Sequence, residues 1–582
     1  MKETIFNPSK RIFVQFLIFI IMLIGFTFSS PVKLLAAPIL NFSDITSGPK
    51  TGNTDGVGSG AIVTIWGNNL GPSQGTSKVY VGNVEATAIY YWKDADGTLP
   101  GGPANLSTYH KMQEIAFAIP AGAADGANTI KVTVDGSDSN TLPFTVRTGG
   151  IKFIKSTGND NTGNGSWSTP WATLQASLQA SKMSAGDIVY SVGVGSSVDV
   201  EMAKNASMLG TATKPYSLVV YPNTTSELNG NNTSALKFMT SPSGYWVTSK
   251  FTITTVHNTV PVGYYSRVIG HKISGPQASP YGYNAALAVG CMATPGDATV
   301  CSGSRIYGNE IFNYGKADGS TPVSHHLYYL TNRSGAPAAA YEIAWNYHHD
   351  NPVAHGIHVY DDSVCGGWSG PLKIHHNVVK NQGGAAININ VNCSESNQYE
   401  IFNNIVVTDT DYTSSGRGVP GAAFRFESGG GAIKAYNNTA YGYGVSNVLH
   451  GGSASVDFRN NIIVDTRNLA YANSTGPATK SNNLFYSTAN PSLALPSWAT
   501  GSLNADPLFV DAARRNFVLR STSPAKNSGT DIVKDVAPTD FLGQPRLTGY
   551  ISIGAFNPID MVLPPVTPAT PAGGWDPATL PK

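Results

Sequence analysis

Eight of the 12 histidines fall between His325 and His376, among residues of types that move protons. Four segments, Leu327-Tyr-Tyr-Leu330, Ile357-His-Val-Tyr360, Ile387-Asn-Ile-Asn390 and Phe424-Arg-Phe-Glu427, read as equivalent strands on successive coils. Successive side chains of a strand point to opposite faces. Taking Ile357/Val359, Ile387/Ile389 and Phe424/Phe426 as inward turns Tyr328, His358, Asn388 and Arg425 outward in one column. Leu330, Tyr360, Asn390 and Glu427 form the next. This set suits β-elimination on a uronic acid polymer. Removing the C5 proton beside a carboxylate creates a dianion, which Arg425 and Asn388 stabilise as hydrogen-bond donors. His358, titrating near neutrality, takes the proton, and Tyr328 or Tyr360 protonates the departing glycosidic oxygen.

His326 lies near the start of its strand, with His325 and His355, where a bend can aim any of them into a groove. Together with Asn388, Asn390, Glu427 and Asp361 it makes up the expected substrate contacts. The sequence requires no cofactor. Asp361, Asp362 and Glu427 are the carboxylates available to Ca2+ should one bind, but they form no dense acidic cluster.

Other readings of the same residues stand beside this one. Histidines and tyrosines on a stacked sheet can simply form side-chain ladders. His348, His349, His375 and His376 fall on a different strand and read as structural or as groove walls. Arg305, Glu342, Lys373 and Glu400 form an outward column of alternating sign that cross-strand pairing explains without chemistry. Hydrolysis needs two carboxyl groups about 5 to 9.5 Å apart, which Asp361, Asp362 and Glu427 can supply if the turn after Tyr360 folds back. A non-catalytic carbohydrate-binding adhesin is the third reading.

Positioning such a site requires a regular scaffold, and the chain supplies one. Ile-x-x-Asn recurs at Ile306/Asn309, Ile343/Asn346, Ile374/Asn377 and Ile401/Asn404, followed by Asn438, Asn461 and Asn483 in similar apolar settings. Variable insertions on a short repeat indicate a solenoid whose turns bulge from one face. Stacking puts equivalent residues above one another, so an Asn at each corner can pass hydrogen bonds along the stack. Trp171 to Ala180 reads as a short amphipathic helix closing the first coil, where it shields the open sheet edge.

Composition agrees. Across 582 residues only 13% are charged, about half the usual quarter, and there are 62 Gly, which excludes a helical bundle. Lys plus Arg is 37 against Asp plus Glu at 36, a net of +1, leaving no overall field for nucleic acid or an anionic membrane. Lys2, Lys10 and Arg11, an apolar run from Ile12 to Phe28, and Leu35-Ala-Ala37 form an export signal with a small-residue cleavage site. The mature protein is expected outside the cell, secreted or at the surface, as a monomer free of the membrane once the signal is cleaved. Four Cys in an exported chain can make two bridges. Cys291 with Cys301 and Cys365 with Cys393 are the expected pairs among three connectivities.

Residues 38–148 carry short alternating runs such as Ala61 to Trp66 and Thr129 to Val134, split by turns. Val63-Thr-Ile-Trp-Gly-Asn-Asn-Leu-Gly71, Val79-Tyr-Val-Gly82, Ile119-Pro120 and Ser139 to Val146 resemble an IPT/TIG domain of immunoglobulin-like fold. That resemblance implies a spacer or adhesion module. Tyr90, Tyr91 and Trp92 are candidates for stacking on a sugar ring, or for core packing.

The helix at 171–180, the Asn repeats, and the ending Asp506 to Val510, Asn516 to Leu519, Leu542 to Arg546 and Ile553 to Phe556 resemble the pectate-lyase-like superfamily of right-handed parallel β-helices. The Asn, His, Tyr and Arg set is similar to that of His/Tyr-type polysaccharide lyases, and departs from the Arg or Lys base and Ca2+ common in β-helix lyases, a resemblance that implies Lys373 or Arg425 as the base instead. The resulting expectation is an all-β protein: signal at 1–37, immunoglobulin-like domain at 38–148, right-handed parallel β-helix at 149–558 and a Pro-rich extended tail at 559–582. Its partner would be an acidic polysaccharide.

Overall fold

A computed structural model describes residues 37–559 apart from 202–207, 231–235, 238–243, 256–259, 276–283, 292–302, 316–324, 333–338, 353–354, 362–366, 392–396, 410–420, 443–445, 451–453, 467–477 and positions 196, 199, 428, 493, 496 and 497. The expected signal and Pro-rich tail therefore lie outside the described residues, apart from Ala37 and Ile559 at their ends. So do Cys301, Cys365 and Cys393 and the side chain of Cys291, and with them both proposed bridges. No helix among the described residues is long and apolar enough to cross a membrane.

The fold is all-β, an immunoglobulin-like sandwich followed by a right-handed parallel β-helix. In the sandwich, Ile39–Ser43, Ile62–Asn68, Met112–Ala118 and Ile89–Asp94 form one sheet, and Leu142–Val146, Gly126–Val134 and Lys78–Val81 the centre of the other. Ile62–Asn68 is buried at every position. Alternation explains how: Val63 and Ile65 fill the sandwich core, while the Thr64 hydroxyl and the Trp66 ring reach the coils at Lys250 and Gly270. The sandwich is thus packed against the coils rather than strung before them as a spacer. Phe42 stacks on Trp66 at 5.0 Å and meets Tyr307 and Trp345 of the coils, each buried aromatic contributing about 1.5–3 kcal/mol. Tyr91 and Trp92 are buried, and the Tyr90 hydroxyl donates to Asp55, which also accepts from Tyr221 of the coils. These three aromatics serve packing and the join between domains.

Three parallel sheets build the β-helix. The first runs from Ile151–Lys155 to Ala478–Ser481, the second from Ser197–Val198 to Leu503–Asn504, and the third, of seven strands, from Val260–Val262 to Ser446–His450. Inward Ile, Val, Leu and Phe from all three fill one continuous core. At the first end a helical turn, Leu174–Ser177, is capped by the Thr173 hydroxyl accepting from Ala176 N. It buries Leu174 and Leu178 over the first coil.

Between the first and second sheets the chain turns through two residues. The first has a left-handed backbone: Gly308, Trp345, His376, Asn403, Asn437, Asn460 and Asn482 all have φ between 52° and 63°. The second is the repeating Asn. Asn309, Asn346, Asn377, Asn404, Asn438, Asn461 and Asn483 are fully buried, and each Nδ2 up to that of Asn461 donates to the Oδ1 of the next at 2.9–3.1 Å. His271 begins the ladder by donating its backbone N–H to Asn309. The ladder satisfies peptide groups that a corner leaves outside the sheets.

The left-handed residue points away from the coil core, and its neighbours come from outside. Lys250 and Gly270, at the same left-handed position on the two preceding coils, meet Thr64 and Trp66. Gly308 lies under Phe42 and Leu106, where a Cβ would come 2.5 Å from the Phe42 ring, so the contact requires glycine there although other residues of the row hold the same φ. Further along, the His376 carbonyl accepts from His110 Nε2, and its Nε2 reaches Asp540 O. Asn403, Asn437 and Asn460 donate to the Thr539, Ser552 and Thr530 carbonyls of the C-terminal segment. Sandwich and C-terminal segment divide the corner row between them and touch where His110 stacks on Phe541 at 5.0 Å.

Candidate functional site

Strand pairing on the third sheet decides which side chains share a column. Tyr329, His358, Asn388 and Arg425 are aligned on neighbouring strands, and Tyr360 with Asn390 follows two residues on. Of the expected column, His358, Asn388 and Arg425 stand together. Tyr328 does not: it pairs with Ile357, is fully buried, and bonds through its hydroxyl to His348 Nε2 at 2.9 Å inside the coil. The expected register was one residue off. In Leu327-Tyr-Tyr-Leu330 the positions 327, 328 and 330 are all fully buried, so the segment lacks the alternation that fixes parity elsewhere. Tyr329 takes the place assigned to Tyr328. The histidines carried the missing signal, because His326 and Tyr329 have the same spacing as His355 and His358, and the structure pairs both sets.

His358 is only 6% exposed, with both ring nitrogens buried and without hydrogen-bond partners among the described residues. Its ring meets those of His326 at 4.3 Å and His355 at 4.8 Å, both edge-on, and those of Tyr360 at 5.3 Å and Tyr329 at 5.7 Å. His326 stacks flat on His355 and on Tyr329. Ala385 N donates to His355 Nδ1 at 3.1 Å, which leaves the proton of that neutral ring on Nε2. Burial, then the adjacent His355 and Arg425, hold His358 well below the usual imidazole range. Burial, His326 and Arg425 do the same for His355. His358 is therefore a neutral imidazole at neutral pH, not the near-neutral titrating group expected from sequence.

Asn388 is fully buried, and among the described residues neither its amide atoms nor Arg425 Nε has a hydrogen-bond partner. Arg425 donates through Nη2 to Glu427 Oε1 at 2.7 Å. The expected carboxylate binder is thus already neutralised by an acid of the same column pair. Asn390 is half-buried beside Tyr360, and Asp361 ends its strand opposite Val391, its side chain outside the described residues. Asp362 and the side chain of His325 lie outside them too.

Lys373 belongs elsewhere. It stands on the first sheet between Glu342 and Glu400, with Nζ 3.9 Å from Glu400, in the column Arg305, Glu342, Lys373, Glu400, Lys434. Arg305 pairs with Glu342 at 3.3 Å and Lys434 with Glu400 at 3.7 Å. Because it is on another sheet, it is not part of the His358 cluster. His349 and His375 are bound to Glu310 and Glu342, and His376 is buried under the C-terminal segment. Among the described residues no group of three or more His, Cys, Asp and Glu is arranged to hold a metal ion. The carboxylate trio considered for Ca2+ falls mostly outside them.

Residues 41–147 match the IPT/TIG domain. No curated protein matches the chain. Among solved structures, one titled "The complex structure of XylC with xylose" aligns with 70% of this chain and 98% of that one, at 10% identity and a TM-score of 0.39.

Proposed function

We propose that the third sheet carries the active site of an exported lyase that cleaves a uronate-containing polysaccharide by β-elimination. One observation carries this reading: among the described residues, the buried side-chain nitrogen and oxygen atoms of His358 and Asn388, adjacent in one outward column, have no hydrogen-bond partner. Buried polar groups are ordinarily satisfied, and leaving them so costs about 1–3 kcal/mol each. A ligand that supplies the partners offsets that cost. In this reading the substrate carboxylate takes the place of Glu427 on Arg425 and accepts from Asn388, which lowers the acidity barrier of the C5 proton. His358, neutral and one rung away, accepts that proton. Tyr329 or Tyr360 protonates the leaving oxygen. The shift of His358 below neutrality makes it a weaker base but keeps it in its reactive form across the neutral range.

The purified protein is to be incubated with alginate, pectate, glycosaminoglycans and bacterial exopolysaccharides, following near-ultraviolet absorbance and reducing ends together. An unsaturated, absorbing product is expected and should vanish in His358→Ala. New reducing ends without absorbance would replace the lyase by a hydrolase. Binding without either product, unchanged in His358→Ala, would leave an adhesin.

A further inference from the structure

A second group of reactive side chains lies off the third sheet, where the sandwich meets the coils. We propose that Lys250 and Asp44 condense to an amide that joins the two domains covalently, with Glu114 carrying the proton.

All three residues are buried, Asp44 and Glu114 completely, in a contact walled by Trp66 and Tyr91. Lys250 Nζ is 4.0 Å from Asp44 Oδ2 and 2.8 Å from the Thr64 hydroxyl. The two faces of the Asp44 carboxyl differ as an acyl transfer requires. Oδ1 accepts from Ile45 N at 2.7 Å and from Thr64 N at 2.9 Å, two fixed donors for an oxygen that gains charge. Oδ2, on the side of the amine, has no hydrogen-bond partner among the described residues. Glu114 receives Gly102 N on Oε1 at 2.9 Å. A Cβ on Gly102 would lie 3.2 Å from Glu114 Oε2 and 3.4 Å from Lys250 Cγ, so these side chains converge on one point.

Protonation favours the same step. Burial raises Asp44 and lowers Lys250, drawing both toward their neutral forms, and it raises Glu114 to about 8, so that its carboxyl holds a proton at neutral pH. Proton transfer within the pair gives a free amine and a carboxylic acid. Nζ attacks Cγ, and negative charge collects on Oδ1. Glu114 gives its proton to the hydroxyl at Oδ2 and recovers one from the nitrogen. The Cγ–Oδ2 bond breaks, water leaves, and an amide remains. Nothing is oxidised or reduced. Holding amine and acid in one water-poor contact supplies an effective concentration on the order of 10⁵ M or more.

Peptide mapping of the mature full-length protein under denaturing conditions tests this. The wild type should weigh one water less than its sequence, resist trypsin after Lys250, and yield a branched peptide containing both Asp44 and Lys250. Glu114→Gln, nearly the same in size, should restore the full mass and cleavage after Lys250, and Lys250→Met should restore the full mass. Full mass in the wild type with Lys250 cleaved would overturn the proposal. So would loss of water confined to an unbranched peptide, as from a cyclised aspartate. Because the readout is covalent and taken after unfolding, a destabilised variant still reports.

Discussion

Tyr329 and His358 face each other across one rung of the third sheet, with ring centroids 5.7 Å apart at 78°. Tyr328, its sequence neighbour, is turned into the coil against His348. The two tyrosines should therefore separate in kinetics. Tyr329→Phe is expected to lower kcat if it is the acid that protonates the leaving oxygen, by about 10²–10⁴-fold, with the melting temperature unchanged. Tyr328→Phe should leave kcat alone and lower stability by about 1–3 kcal/mol, since His348 Nε2 loses its hydrogen-bond partner. Steady-state rates and thermal melts of the pair decide the assignment.

Glu427 competes for the guanidinium that substrate needs. Glu427→Gln should lower KM on a uronate polymer and steepen its increase with salt, while Arg425→Met should raise KM and remove the salt dependence. Rates measured across ionic strength in the two variants check this. A KM that does not move in either variant would remove Arg425 from the binding role.

Acid should weaken the fold. Burial lowers His110 and His271 to about 4 and His348 to about 3, from the usual 6.5. An imidazole with lower proton affinity in the folded chain is protonated first in the unfolded one. Its contribution is complete above about pH 6.5 and drains as pH falls toward 4. Denaturant titrations between pH 7.5 and 4 should show falling stability, with each tenfold difference in proton affinity corresponding to about 1.4 kcal/mol. In kcat/KM, the acidic limb set by His358 should fall well below pH 6.5, because the neutral ring is the active form.

Asn377 sits mid-ladder. It accepts from Asn346 and donates to Asn404 and to Ile343 O. Asn377→Ala should cost about 2–5 kcal/mol, more than one hydrogen bond, because neighbours on both sides are left unsatisfied. Asn377→Asp should be no better, since it has an acceptor but no amide donor. Chemical denaturation measures both.

Much of this architecture was legible because stacking converts sequence spacing into vertical alignment. Asn309 to Asn483 announced the corner, and Ile357/Val359, Ile387/Ile389 and Phe424/Phe426 fixed which way His358, Asn388 and Arg425 face. The first strand of the group failed because Leu327, Tyr328 and Leu330 are all apolar enough to be interior, so alternation gave no parity there. The neutral state of His358 was hidden for another reason: it arises from burial under Tyr329 and Tyr360 and from His355, none of which local pattern encodes. Lys250, Asp44 and Glu114 are brought together from three distant segments, and no spacing rule connects them.

The corner row does more than turn the chain. Left-handed geometry at Trp345 and His376 costs about 1–2 kcal/mol for a residue other than glycine, yet these positions hold the flanking segments. The sandwich grips the row as far as His376, whose carbonyl accepts from His110, and the C-terminal segment takes it from the His376 ring onward. Because the two grips meet at His110 and Phe541, inserting or deleting a coil between Trp345 and His376 would pull them out of step. Most solenoids tolerate changes in repeat number. Here the attached segments act as a gauge of coil count, so this stretch should vary in loop length but not in the number of turns.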